Sequence, residues 1–131
     1  MAVVGYGGVG KSAFISKFVN TDNVDEDMHN LPRKSFSYGD QNFSISVLDT
    51  KGQDVVSYLT PDSMVGIGGY VLMYSVSSRY SFQIIKFIND KLLMNAMTLG
   101  VPRVLVASKA DLVMDRCGVQ FLTHCEHSKR F

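Results

Sequence analysis

Apolar residues recur along this chain at two spacings, which together predict alternating strands and helices. Residues 1–4 form a short apolar run ending in two valines, which predicts a strand. Residues 11–19 carry apolar side chains one helical turn apart, which predicts a helix with one apolar face. In residues 43–48 apolar side chains alternate with serines. Residues 35–38 precede them across a Gly-Asp turn at 39–40, so we expect a β-hairpin here.

The second half of the chain repeats the strand-then-helix order. Residues 69–76 are almost wholly apolar, which predicts a central parallel strand covered on both faces. Ser77 or Ser78 is suited to cap the helix that follows, and Gly and Pro within residues 100–102 are expected to end it. One side of that helix is apolar: Phe82, Ile85, Ile88 and Leu92. Residues 103–107 predict another strand, so the order favours an α/β fold with a parallel sheet.

Three stretches carry weaker patterns. Residues 20–34 are polar and aperiodic, so we expect a surface loop there. Residues 54–67 are mixed, and Pro61 breaks any long helix within them. Residues 112–131 have weak helical spacing at best.

The composition excludes several classes of protein. At 131 residues the chain fits one domain, and a formal charge of +1 gives no indication of a nucleic-acid partner. No apolar run approaches the about 20 residues that span a bilayer, and we expect neither a signal peptide nor a prenylation motif. Cys117 and Cys125 are too few for a disulfide framework, which favours a reducing, cytoplasmic location. With His124 and His127 they fit no standard zinc spacing, so we expect an exposed tail.

The first predicted strand leads directly into the motif G-x-x-x-x-G-K-S at residues 5–12, and a predicted helix follows. Glycines let the backbone fold around an anion with its N–H groups inward, where the helix dipole adds partial positive charge. Lys11 supplies a charge for the outer phosphates, and the Ser12 hydroxyl is a hard oxygen ligand suited to Mg²⁺. A glycine-rich turn would explain the glycines but not the Lys-Ser pair, so we favour phosphate binding.

A second motif, D-x-x-G, follows the second strand of the predicted hairpin. The carboxylate of Asp49 is able to hold Mg²⁺ through its water shell, and Gly52 offers a backbone N–H to a terminal phosphate. Gln53 comes next and is able to orient an attacking water. Alone this pattern is usually a turn, but the upstream phosphate-binding loop favours the functional interpretation.

The third motif is Ser-Lys-Ala-Asp at residues 108–111. A carboxylate at Asp111 would accept both donors on the Watson–Crick edge of guanine, whereas adenine presents an acceptor there. The stem of Lys109 would lie over a base ring. The alternative is that Asp111 caps a helix after a strand, and the residues alone leave both interpretations open. All three motifs follow strands, so in a parallel sheet they meet at one edge.

Taken together, these motifs resemble the Ras superfamily of small GTPases, and most closely its Rheb branch. The resemblance runs from residue 2 to about residue 116. It includes Gly5-Tyr6, the segment Gly69-Tyr-Val-Leu-Met-Tyr-Ser-Val, Ser81-Phe82 and Lys91-Leu-Leu. The fold it implies is a doubly wound, mostly parallel sheet, the P-loop GTPase fold. The function it implies is a GDP/GTP switch that engages effectors when GTP-bound, with exchange factors and GTPase-activating proteins as partners.

The resemblance also implies a set of site residues. It implies Mg²⁺ held by Ser12, with Asp49 behind its water, a hydrolytic water placed by Gln53, and guanine read by Asp111. The pair Val24 and Asp25 matches residues that line the ribose. The implied nucleotide-binding set is Gly5, Gly7, Gly8, Val9, Gly10, Lys11, Ser12, Ala13, Val24, Asp25, Gly52, Ser108, Lys109, Asp111 and Leu112.

Several positions depart from the family pattern. The family's first switch carries a Thr that closes on Mg²⁺, but residues 22–49 contain no Thr, and Asn30 stands nearest that place. Asn23 stands where an aromatic ring stacks on the base, and Lys51 replaces a small residue. Ser108 replaces an Asn whose amide ties the base-reading loop to the phosphate-binding loop. We therefore expect weaker nucleotide affinity and slow intrinsic hydrolysis.

The resemblance also predicts a partial domain. We expect residues 1–116 to form a Ras-like GTP-binding domain without the family's last strand and helix, and residues 117–131 to form a divergent tail. Loss of a covering helix is expected to expose apolar sheet. Membrane association rests on the family alone, because this chain shows no lipidation motif.

Two other functions remain open at this point. One is a pseudo-GTPase, a non-hydrolysing module that presents a fixed surface to a protein partner. The other is an ATP-using P-loop enzyme such as a small kinase. The second is disfavoured because D-x-x-G-Q is a switch pattern and no Arg-rich lid segment follows the phosphate-binding loop.

Overall fold

The computed structural model of the chain describes residues 1–19, 31–50, 65–95 and 98–112. Its strands and helices are β1 (Ala2–Val4), α1 (Lys11–Val19), β2 (Arg33–Tyr38), β3 (Gln41–Ser46), β4 (Leu48–Asp49), β5 (Tyr70–Ser75), α2 (Arg79–Met94) and β6 (Arg103–Ser108). Most of the predicted loop at 20–34, most of residues 54–67 and nearly all of residues 112–131 lie outside the described residues.

A parallel sheet forms the centre of the described fold. Its strand order is β4-β1-β5-β6, and every neighbouring pair is parallel. All six residues of β5 are buried, as the continuous apolar run predicts for a strand with a neighbour on each side. The prediction of an α/β fold with a mostly parallel sheet is confirmed.

The two faces of this sheet carry separate apolar clusters because side chains alternate along a strand. Val71 and Met73 of β5 pack with Ile15 of α1, whereas Leu72 packs with Ile88 of α2. Each helix therefore covers one face of the sheet, which is the doubly wound arrangement. The carboxyl ends of β1, β4, β5 and β6 consequently lie along one edge of the sheet, open between the two helical layers.

The capping of α2 explains its bounds. Ser78 is the N-cap, and its side chain accepts a hydrogen bond from the backbone N–H of Ser81, which confirms one of the two predicted caps. The helix ends at Met94, so the prediction that it continues to Gly100 is wrong. The hydroxyl of Thr98 is within hydrogen-bond distance of the carbonyls of Leu92 and Asn95, which satisfies acceptors at the helix end before the glycine is reached.

The hairpin differs from its prediction at both ends. β2 begins at Arg33 rather than at residue 35, because Arg33 and Lys34 already pair with Ser46 and Ile45 of β3. The ammonium of Lys34 also donates to the carbonyl of Phe18 and lies 5.0 Å from the centroid of the Phe18 ring. The predicted strand at 43–48 is two strands. Val47, which is fully buried, joins β3 of the antiparallel hairpin to β4 of the parallel sheet. The buried Val47 therefore marks the junction between the two sheets.

The last described strand, β6, is one residue longer than predicted and is apolar but open to solvent. Val104 is 59% exposed and Leu105 is 44% exposed. This exposure matches the expectation of uncovered apolar sheet. In the described part of the chain, neither helix is long and apolar enough to cross a membrane.

Candidate functional site

The loop between β1 and α1 owes its shape to glycine. Gly8 has φ +73° and Gly10 has φ +94°, a left-handed region in which side chains with a Cβ are strained. Helical hydrogen bonding begins directly afterwards, because the backbone N–H of Phe14 donates to the carbonyl of Gly10 at 2.9 Å. The loop therefore delivers the chain into α1 at Lys11, with the amino end of the helix at the carboxyl edge of the sheet.

A close approach of two backbones fixes the beginning of this loop. A Cβ on Gly5 would lie 2.2 Å from the carbonyl oxygen of Met73 in β5, far inside van der Waals contact. The side chain of Val9 is 2% exposed and packs in the apolar cluster on the α1 face. Gly7, between them, lies half-buried in the turn. The loop is thus held to the sheet at both of its ends.

The ammonium of Lys11 lies inside this loop. It donates to the carbonyls of Gly5 and Tyr6 at 3.0 and 3.1 Å, and the residue is 6% exposed. Burial lowers the pKa of Lys11 below its ordinary value, and the nearby Asp49 carboxylate partly offsets that shift. An ammonium has three donors, so these two carbonyls leave one N–H for an anion. An anion placed there would stabilise the charged form.

A hydroxyl and a carboxylate meet beside Lys11. Ser12, at the start of α1, donates to the carboxylate of Asp49 at 2.6 Å, and both residues are exposed. The hydroxyl of Thr50 donates to the carbonyl of Val3 at 2.7 Å, which fixes the end of β4 against β1. The oxygens of Ser12 and Asp49 are hard ligands that fit Mg²⁺ when water and phosphate oxygens complete its coordination shell. The described residues hold no group of three or more His, Cys, Asp or Glu side chains for a metal.

The third motif reaches the same loop through Ser108. Its hydroxyl lies 2.7 Å from the carbonyl of Val9 and 2.9 Å from that of Tyr74, so it ties the ends of β6 and β5 to the loop. The sequence predicts that this serine loses the tie that an asparagine makes in the family. The structure corrects that expectation, because the Ser108 hydroxyl itself reaches the Val9 carbonyl of the loop. Ser108 therefore links the third motif to the first.

Residues after Ser108 form an exposed turn. Lys109 has φ +57°, and its carbonyl accepts from the backbone N–H of Leu112 at 3.1 Å. Asp111 lies within this turn and is exposed, so its carboxylate is accessible at the carboxyl edge of the sheet.

All of the predicted site residues that the structure describes lie at this edge: Gly5, Gly7, Gly8, Val9, Gly10, Lys11, Ser12, Ala13, Asp49, Ser108, Lys109, Asp111 and Leu112. Ala13 is exposed in the first turn of α1. Four others lie outside the described residues: Val24, Asp25, Gly52 and Gln53.

Two residues at this edge escape prediction from the sequence. Tyr6 lies inside the glycine motif at a position where the motif accepts any residue, and Tyr80 lies in the first turn of α2. Their rings meet edge to face, with centroids 5.1 Å apart and planes at 89°. No local pattern signals this contact, because the two tyrosines lie 74 positions apart in the chain.

Comparison with known proteins gives one family. A family model described as the Ras family matches residues 1–127. Over 119 residues the chain is 39% identical to the GTP-binding protein rhb1 of Schizosaccharomyces pombe, covering 88% of this chain and 64% of rhb1. Identity is 38% with the GTP-binding protein Rheb homolog of Dictyostelium discoideum and 37% with human GTP-binding protein Rheb, covering 64% and 65% of those proteins. The chain spans just under two thirds of the length of these curated relatives.

The contact between Gly5 and Met73 gives a direct test of the loop geometry. We expect Gly5→Ala to lower the free energy of unfolding by about 1–3 kcal/mol, because its Cβ would force the loop away from β5. Gly68→Ala is the matched control, since nothing lies within 4 Å of its added Cβ. Urea unfolding of both variants measures the difference. Equal stability of the two would show that the loop does not lie against β5 as described.

Proposed function

This chain belongs to the Ras family, and from that premise we propose that it binds GTP and GDP with Mg²⁺ as a signalling switch that hydrolyses GTP slowly. The observation that carries the proposal is the convergence of three motifs on one loop. Lys11 lies within the loop, Asp49 meets Ser12 beside it, and Ser108 ties the base-reading turn to it.

Phosphate binding follows from the charge at the amino end of α1. The backbone N–H groups of the first turn have no helical partner, and the helix dipole favours an anion there. The remaining N–H of Lys11 adds a full positive charge at the same place. We assign Gly5, Gly7, Gly8, Val9 and the residues 10–13 to this phosphate contact.

Metal and base binding use the flanking motifs. Ser12 and Asp49 would hold Mg²⁺, which neutralises charge on the outer phosphates when bound. The carboxylate of Asp111 favours guanine over adenine, since it accepts two adjacent donors, and Lys109 and Leu112 flank it in the same turn. By family membership we add Val24 and Asp25 at the ribose, Gly52 at the terminal phosphate and Gln53 at the hydrolytic water.

The slow GTP hydrolysis that we propose follows from residues that depart from the family pattern. No Thr is present in residues 22–49 to close on Mg²⁺, and Asn30 offers a weaker amide ligand. Lys51 adds bulk and charge next to Gly52. We propose effectors, exchange factors and GTPase-activating proteins as the partner classes, in the cytoplasm or peripherally at its membranes. We propose residues 1–116 as the nucleotide-binding unit and 117–131 as its tail.

Nucleotide titration with a matched pair of lysines tests the proposal. We expect the protein to bind GTP and GDP more tightly than ATP and to require Mg²⁺ for full affinity. Lys11→Ala removes a charged donor and should weaken binding about 10- to 100-fold. Lys17→Ala, in the exposed last turn of the same helix, should leave affinity unchanged.

Calorimetry with each nucleotide, with and without Mg²⁺, measures these affinities. A preference for ATP would favour the ATP-using enzyme instead. Equal affinity of the Lys11 and Lys17 variants would contradict a phosphate site in the loop.

Phosphate release separates the switch from the pseudo-GTPase, which is our second candidate because of the missing Thr. We expect slow but measurable release of phosphate from bound GTP in a single-turnover assay. Gln53→Leu should slow that release further without changing GTP affinity, because it removes the group that orients water. Tight GTP binding with no release above the buffer rate, in either protein, would support the non-hydrolysing module.

A further inference from the structure

The phosphate-binding loop has few side chains with which to hold its shape. Between residues 5 and 10 only Tyr6 and Val9 are not glycine. Glycine loses more conformational freedom on ordering than any other residue, so such a loop depends on its remaining side chains. Val9 is anchored in the core, and its carbonyl accepts from Ser108. The other side chain available to hold the loop is that of Tyr6.

The ring of Tyr6 is held by α2 and not by the core. It meets Tyr80 edge to face with ring centroids 5.1 Å apart, a favourable aromatic geometry. Both rings are partly exposed, Tyr6 to 40% and Tyr80 to 55%, and neither belongs to the two apolar clusters. The contact lies outside both clusters and joins the loop to the first turn of α2.

Hydrogen bonds fix the first turn of α2, which carries Tyr80. The hydroxyl of Ser81 is fully buried and accepts from the backbone N–H of Ser75, at the end of the central strand. The same hydroxyl lies 2.7 Å from the carbonyl of Ser78, the N-cap of the helix. These bonds fix the helix start to β5, which itself contacts the loop at Gly5.

The main chain of Tyr6 in turn holds the lysine. Its carbonyl accepts one hydrogen bond from the ammonium of Lys11 at 3.1 Å. If the Tyr6 ring lost its contact with α2, this carbonyl would be placed less firmly, because Gly7 and Gly8, which follow the residue, restrain its backbone little. Tyr80, Tyr6 and Lys11 therefore form a continuous series of contacts from α2 to the ammonium.

We propose that Tyr80 is a positioning residue for nucleotide binding: its ring fixes Tyr6, whose carbonyl fixes the ammonium of Lys11. The inference rests on the proposed function, since it concerns the same phosphate site. It gives α2 a role in nucleotide binding, although Tyr80 lies outside all three motifs. Tyr80 acts through Tyr6 and is not assigned a contact with the nucleotide.

The test compares Tyr80 with a second exposed aromatic on the same helix. We expect Tyr80→Ala to speed dissociation of a fluorescent GDP analogue about 3- to 10-fold, the size of one aromatic pair. Tyr80→Phe should restore the wild-type rate, because the ring makes the contact. Phe87→Ala, 41% exposed and facing Lys91, should leave the rate unchanged. Thermal unfolding of each variant shows whether it is folded at the assay temperature.

A double-mutant cycle adds a readout that general destabilisation does not reproduce. With Tyr6 already changed to Ala, Tyr80→Ala should have no further effect on dissociation. Wild-type-like dissociation of the Tyr80→Ala variant, no rescue by Phe, or additive effects of the two changes would each overturn the inference and leave the proposed function standing. Failure of the wild-type protein to bind GDP would overturn both.

Discussion

The fold depends on how a loop with four glycines in six residues is held in one shape. Ordering such a backbone costs about 1–2 kcal/mol per residue, and a loop has no ladder of hydrogen bonds to offset this cost. Here the sheet edge supplies the restraints. Gly5 lies against the backbone of Met73, Val9 is buried on the α1 face, and Ser108 is bonded to the Val9 carbonyl. A loop held in this way would bind an anion at lower cost, because its backbone is already ordered.

The charges around the loop favour an anion on one side and a cation on the other. Lys11 is buried among backbone carbonyls, and its pKa is lowered by that burial. A buried ammonium satisfied by two carbonyls still lacks a full counter-charge, so a phosphate is a natural partner. The hydroxyl and carboxylate of Ser12 and Asp49 are both exposed, and the Mg²⁺ proposed there would complete the balance of charge.

The sequence predicts those parts of the molecule that depend on local patterns. The continuous apolar run gives the central strand, and the spacing of apolar residues gives both helices, because burial on one face imposes a period on the chain. The glycine motif predicts the proposed site, since phosphate binding requires those residue types in that order. Where the sequence falls short, particular side-chain contacts decide the outcome. Val47 lies between the two observed strands and is buried in the apolar cluster on the α1 face, and the hydroxyl of Thr98 bonds to carbonyls at the end of α2. The ties from Ser108 and Tyr80 to the loop join residues far apart in the chain, so no local pattern contains them.

The central claim is that the loop before α1 receives the phosphates of a guanine nucleotide. The most direct measurement is a crystal structure of the protein grown with GDP and Mg²⁺. The account predicts that the β-phosphate lies within hydrogen-bond distance of the Lys11 ammonium and of backbone N–H groups of the loop, with the guanine edge at Asp111. Density for the nucleotide elsewhere, or a loop without nucleotide at millimolar GDP, would contradict it.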